Sequence, residues 1–201
     1  MNLRKAVFYI LAGLLGGCVP SLHPLYTDTD TVFDEKIIGS WQDADSVWKF
    51  EKAADANSYD LTVITDGKEG RFIAHLVRLN DTLFFDLYPG HAEINASDFY
   101  KAHLLGAHSF LKVEQIEPNL ALRMMDPENF EKLVESEPEI IKHEVVEKRI
   151  ILTASTPELQ KFVLKYQNDP NVFAQPSNMT KVFDDSNEPN LAEPNLVSAE
   201  K

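Results

Sequence analysis

The sequence predicts a mainly β protein, an antiparallel barrel of eight strands with two short helices. Short runs of β-branched and aromatic residues recur along the chain, turn-forming residues separate them, and two longer segments have helical spacing. Hydrophobic residues make up 44% of the 201 residues and charged residues 25%, which is ordinary for one packed domain. An open β-sandwich is the alternative that the same pattern allows.

Eight strands are expected between residues 37 and 153. The clearest is Tyr59 to Thr65, where apolar and polar residues alternate as in a half-buried strand. Asp66-Gly67 and Asn80-Asp81 are turn sequences that join it to the next strands as sequential hairpins. The other strands are expected at Ile37 to Gln42, Ser46 to Lys52, Arg71 to Leu79, Thr82 to Tyr88, His108 to Ile116, Leu120 to Met125 and Val145 to Thr153.

Two helices are predicted from their starting sequences. Asp126-Pro127-Glu128 supplies an N-cap acid, a proline at the first helical position and an acid near the positive end of the helix dipole. Thr156-Pro157-Glu158 opens a second helix, in which the apolar residues follow the i, i+3, i+4, i+7 rule and should pack on the sheet. Those residues are Leu159, Phe162, Val163 and Tyr166.

Residues 1–17 have the layout of a signal peptide. Arg4 and Lys5 precede an apolar run of about ten residues, which is too short to span a bilayer. The run ends in Leu15-Gly16-Gly17-Cys18, which resembles the lipobox of bacterial lipoproteins. That resemblance implies cleavage before Cys18, a diacylglyceryl group on its thiol and a fatty acid such as palmitate on the new amine.

Cys18 is the one cysteine in the sequence, so it cannot form an internal disulfide. Two or more acyl chains on it would give stable membrane attachment. In diderm bacteria the resemblance implies transport to the outer membrane, facing the periplasm, because Val19 rather than an aspartate follows the cysteine.

The two ends of the mature chain are expected to lie outside the packed domain of residues 37–175. Residues 18–36 contain Pro20, Pro24 and several acids and are predicted to form an extended tether, of which the segment from Pro20 to Tyr26 could pack on the domain. Residues 176–201 are rich in Pro, Asn, Asp and Glu and are predicted to form a disordered acidic tail.

Gly39-Ser40-Trp41 opens the first predicted strand. With eight antiparallel strands, it resembles the lipocalin pattern, in which a Gly-x-Trp begins the barrel and the tryptophan closes one end. That resemblance implies a basic residue of the last strand lying across Trp41, and Arg149 is the expected residue. Two segments, His23 to Thr27 and Leu152 to Gln160, also resemble uncharacterised bacterial lipoproteins with the same order of parts.

The sequence gives little support for a metal or catalytic site, so no cofactor is expected. His103 and His108 with His75 or His91 are the best metal-ligand candidates, but their spacing fits no metal motif. Nucleophile elbows, phosphate-binding glycine loops and dinucleotide fingerprints are all absent from the sequence. We therefore expect that the protein is not an enzyme.

Charge also limits the possible partners. The chain has 19 basic and 32 acidic residues, and removal of Arg4 and Lys5 with the signal peptide leaves a formal charge of −15. A protein with this negative charge repels the phosphate groups of nucleic acids, so a nucleic-acid partner is not expected.

Two functions remain. The first is a lipid-anchored carrier of a small apolar or amphipathic ligand. An acidic ligand would need Arg71, Arg78 or Arg123 to face inward and pair with it. The second is an interaction module that docks onto an envelope protein. The two differ in whether large residues such as Trp48, Phe72, Phe85 and Phe110 fill the barrel.

Overall fold

The computed structural model describes residues 18–55, 57–90 and 94–182. The predicted signal peptide and residues 183–201 of the predicted tail lie outside the described residues. The strands are β1 Thr31–Val32, β2 Gly39–Gln42, β3 Ser46–Lys52, β4 Ser58–Thr65, β5 Lys68–Leu79, β6 Thr82–Pro89, β7 Ser109–Gln115, β8 Asn119–Met124, β9 His143–Val146, β10 Arg149–Leu152 and β11 Ser177–Val182. The helices are α1 Asp98–Lys101, α2 Pro127–Ser136 and α3 Thr156–Tyr166, and a 3₁₀ turn covers Glu35–Ile37.

Eight of these strands form a closed antiparallel barrel, which confirms the predicted fold class. Strands β2 to β8 pair in sequence order, and β11 pairs with both β8 and β2 and closes the barrel. Strand β1 adds to β5 outside the closed ring. The alternative of an open sandwich is wrong, because the chain leaves no unpaired edge between β2 and β8.

The turns that set the strand register are the predicted ones. Asp66 and Gly67 join β4 to β5 with φ values of 52° and 70°, and Asn80 begins the β5–β6 turn with φ 52°. Glycine and asparagine are the residues that most readily adopt this left-handed conformation.

Side chains fill the interior of the barrel. The alternation predicted for β4 is correct, since Tyr59 and Leu61 are buried inside while Asp60 faces out. Phe50 stacks on Phe85 with ring centroids 5.3 Å apart, and Tyr59 meets both rings edge-on. The other fully or nearly buried residues of this core are Ile37, Trp41, Ala74, Leu76, Leu87, Leu111, Val113, Leu120, Leu122 and Met179.

A second core lies between the outer wall of the barrel and a layer formed by the N-terminal segment, the β9–β10 hairpin and two helices. Val77, Phe84 and Phe110 from the barrel strands contact this layer. The residues that this layer contributes to the second core are Val19, Leu25, Phe130, Val134, Ile141, Leu152, Ala154, Leu159, Phe162, Val163, Val172 and Phe173.

Both predicted helices are present and begin as expected. The Asp126 carboxylate accepts the N–H of Asn129 at 3.0 Å at the start of α2. At the start of α3, the N–H of Ser155 donates to Glu158 at 2.9 Å. Helix α1 was not predicted. No helix within the described ranges is long and apolar enough to cross a bilayer.

The last barrel strand was assigned wrongly. Val145 to Thr153 forms the separate β9–β10 hairpin, because Glu147 and Lys148 adopt positive φ values and fold the segment back on itself. The eighth barrel strand is β11, which lies in the segment predicted to be a disordered tail. Met179 of β11 is buried among the core side chains. The other residues of this segment are mostly polar, so its composition does not indicate a strand.

The predicted tether is also wrong as an extended linker, although the expectation that part of it could pack on the domain is correct. Val19 and Leu25 are buried, and residues 31–37 contribute β1 and the 3₁₀ turn. The packed domain therefore includes residues from Val19 onward and not only those from residue 37.

Candidate functional site

Cys18 lies partly exposed at one side of a surface groove of about 570 Å³. The start of α2 and the tip of the β9–β10 hairpin form the other walls. The groove is lined by Cys18, Val19, Pro20, Pro127, Glu128, Glu131, Glu147, Lys148, Arg149 and Ile150. Burial raises the pKa of the Cys18 thiol, even though Ser109 hydrogen-bonds to it. At neutral pH the unmodified residue would be a thiol, which does not suit it to nucleophilic catalysis.

The residues directly after Cys18 are fixed to the fold by backbone hydrogen bonds. Ser21 and His108 exchange two N–H···O bonds, of 2.9 and 2.8 Å. On the other side, Leu152 donates to the Pro20 carbonyl at 2.8 Å, and Leu22 donates to the Leu152 carbonyl at 3.0 Å. Residues 20–22 thus connect the start of β7 to β10 through backbone hydrogen bonds, and Ser21 is three residues after Cys18.

A buried carboxylate holds the next part of the segment. Asp86 is fully buried on β6 and accepts the N–H of Leu25 at 2.7 Å and a hydrogen bond from His108 Nδ1, also at 2.7 Å. Next to it, Tyr26 stacks on His75 at 4.2 Å. A buried charge is stable only when it is paired and hydrogen-bonded. The hydrogen bonds of Asp86 therefore hold the N-terminal segment against the barrel wall.

The segments His23 to Thr27 and Leu152 to Gln160 contact each other. Thr156 Oγ1 donates to the Pro24 carbonyl at 2.8 Å, and Gln160 Nε2 donates to the Leu25 carbonyl at 2.9 Å. Gln160 also donates to the Asp30 carboxylate at 2.9 Å. Helix α3 therefore clamps the N-terminal segment against the barrel.

Trp41 is fully buried in the barrel, and its Nε1–H donates to the Ile37 carbonyl at 2.8 Å. A cation does lie over its ring, but the residue is Lys181 of β11, with Nζ 5.0 Å from the ring centroid. Gly39 has φ 122°, and a Cβ there would lie 3.1 Å from the Lys181 side chain. Arg149 was the wrong residue because β10 is not a barrel strand; it is exposed at the hairpin tip beside Cys18.

The three arginines considered for an acidic ligand are not part of the barrel core. Arg71 is exposed and pairs with Glu69 at 2.7 Å, and Arg78 is also exposed. Arg123 forms an ion pair of 2.6 Å with Glu114 on the outer wall.

The histidines are dispersed. His75 and His108 both lie near Asp86, whereas His103 is on the exposed loop around α1 and His91 lies outside the described residues. Within the described ranges, no three histidine, cysteine or acidic side chains lie close enough to hold a metal ion. The buried Nδ1 of His75 has no hydrogen-bond partner there, and burial lowers the pKa of this ring.

The aromatic residues proposed to fill the barrel divide between two places. Phe85 is part of the interior core, and Trp48 and Phe72 pack against it partly buried. Phe110 belongs to the outer core. A groove of about 400 Å³ lies at the rim where the 3₁₀ turn meets β7, and it is lined by Asp34, Lys36, Leu83, Val113, Glu114, Gln115, Ile116 and Glu117.

Two important residues were missed from the sequence. Asp86 is a lone acid in the apolar run Leu83 to Leu87, and such an interruption indicates a buried, partnered carboxylate. Lys181 gave no signal, because its strand was read as tail.

Comparisons with known proteins identify no family for this chain. No protein-family model, curated protein or solved structure matches the chain.

Proposed function

We propose that this chain is a lipid-anchored protein of the bacterial cell envelope whose barrel serves as a non-catalytic interaction module. The anchor is Cys18, at the end of the lipobox-like Leu15-Gly16-Gly17-Cys18. In a diderm source the protein would lie on the periplasmic face of the outer membrane.

The observation that carries the choice of an interaction module is the filled barrel interior. Phe50, Tyr59, Phe85 and Trp41 are all fully buried and occupy the space that a ligand would need. An eight-stranded barrel is just wide enough for its own side chains or for one small ligand. The carrier hypothesis requires these aromatic side chains to move apart, so it ranks second.

Charge indicates the kind of partner. The mature formal charge of −15 favours a partner with a basic surface, since complementary charges speed association and exclude wrong partners. Binding of this kind weakens as salt screens the charges.

The full-length lipoprotein, purified in mild detergent, can test both functions. We expect native mass spectrometry to find no bound small molecule and fluorescent fatty-acid displacement to find no saturable site. We also expect in-cell photocrosslinking to capture a stoichiometric protein partner, whose binding to the purified lipoprotein falls with added salt. A fatty acid bound at one per chain would instead establish the carrier.

A further inference from the structure

The chain between the lipid anchor and the folded domain has no slack. Val19 is 4% exposed, and Ser21 is already bonded to His108. A lipid on Cys18 would therefore hold the barrel directly against the bilayer, with the Cys18 side facing the lipid.

Two separate elements near Cys18 carry exposed apolar side chains. On the loop around α1, Phe99 is 81% exposed and Leu105 is 83% exposed. On the β9–β10 hairpin, Val145 is 61% exposed and Val146 is 51% exposed. We call these four residues, together with Tyr100 and Leu104, the anchor-side patch.

Both elements lie near Cys18. The hairpin tip, Glu147 to Ile150, lines the groove that Cys18 opens into. The loop leads into β7, whose first residue, Ser109, hydrogen-bonds to the Cys18 thiol. Leu105 is four residues from Ser109, so their Cα atoms lie within about 14 Å of each other.

The chemistry of the patch suits the headgroup region of a bilayer. Phe99 and Tyr100 present apolar rings, and the ring of Tyr100 ends in a polar hydroxyl group. Tyrosine is enriched at membrane interfaces. Lys101 on α1 and Lys148 and Arg149 on the hairpin are exposed and can reach lipid phosphates with their long side chains. In water, exposed apolar clusters of this kind usually mark an interaction surface.

We propose that the anchor-side patch inserts into the headgroup region of the membrane that carries the Cys18 lipid and fixes the orientation of the barrel. The partner of this surface is the bilayer itself. This inference rests on the proposed lipidation of Cys18. It leaves the opposite end of the barrel, with the Asn80-Asp81 turn, directed away from the membrane.

Environment-sensitive labels on the lipidated protein test this orientation. Single cysteines replace Leu105 and Val146 in the patch, and Asp81→Cys is the control at the far end of β6, whose eight residues span roughly 25 Å. Each variant is labelled with the fluorophore NBD and reconstituted into phosphatidylcholine vesicles. We expect blue-shifted emission at Leu105→Cys and Val146→Cys, quenched by lipids with a shallow nitroxide, and water-like emission at Asp81→Cys.

The unmutated lipoprotein separates the two possible failures. A lipidated Cys18 has no free thiol, so this protein should take up no label. Labelling at Cys18 would overturn both the anchor and the patch assignment. If Cys18 is blocked and both patch positions give water-like emission, the patch assignment alone is overturned. Protection of those positions by a protein in intact envelopes would not change that conclusion.

Discussion

The carboxylate of Asp86 accepts the backbone N–H of Leu25 at 2.7 Å, joining β6 to a segment 61 residues earlier in the chain. The same carboxylate bonds to His108. This relationship explains why residues that read as a tether are part of the fold.

Asp86→Ala should lower the free energy of unfolding by about 3 kcal/mol, the cost of removing one partner from a buried pair. It leaves the Leu25 N–H and His108 without their acceptor, so the segment from Cys18 to Tyr26 should also exchange its amide hydrogens faster. Chemical denaturation and hydrogen exchange measure the two effects. Asp60→Ala, on the exposed side of β4, is the control and should change stability by less than about 0.5 kcal/mol.

Lys181→Met should lower the free energy of unfolding by about 1 kcal/mol, because it removes a cation from the face of a buried tryptophan. Denaturation followed by tryptophan fluorescence measures this change. Arg149→Met removes an exposed cation of the separate β9–β10 hairpin and should stay within about 0.5 kcal/mol of the unmutated protein. An Arg149 effect larger than the Lys181 effect would refute the reassignment of the cation to β11.

Phe162→Ala should lower the free energy of unfolding by about 3 to 5 kcal/mol, the usual cost of removing a buried aromatic side chain. Phe162 is 5% exposed in the outer core and meets Phe130 edge-on at 5.9 Å. Lys161→Ala, its exposed neighbour on α3, is the control. A loss below about 1 kcal/mol for Phe162→Ala would mean that α3 does not hold the outer layer together.

The stability of the folded protein should fall with acid in a way that depends on His75. Burial is the main cause of the lowered pKa of His75, against the opposing attraction of Asp86 and Asp55. The folded state then binds fewer protons than the unfolded state, whose histidines have a pKa near 6.5. This contribution is complete above about pH 6.5 and is lost as the pH falls below it. His75→Gln should flatten the stability profile between about pH 7 and pH 5; an unchanged profile would contradict this.

The sequence predicted the barrel well because most of its strands carry their own signals. Tyr59, Leu61 and Val63 show the period of two, and Asn80-Asp81 shows the turn, so local pattern and final structure agree. Both helices likewise begin at local capping signals, at Asp126 and at Ser155.

The errors occur where long-range contacts decide the structure. Strand β11 is polar except for Met179 and Val182, and only pairing with β2 and β8 makes it a strand. In the same way, Pro20 to Tyr26 lacks periodicity, and its order comes from Asp86, Thr156 and Gln160. No local pattern in the sequence carries that information.

Mass analysis of the mature N-terminus is the most direct test of the central claim, that Cys18 is the membrane anchor. The full-length chain is expressed in a bacterium with lipoprotein processing, grown with an alkyne fatty acid, and compared with Cys18→Ala. The account predicts a mature protein that begins at Cys18, carries the fatty acid and fractionates with membranes, and a Cys18→Ala protein that carries no label. A Cys18→Ala protein that still incorporates the fatty acid, or an unmutated protein whose Cys18 is free, would contradict it.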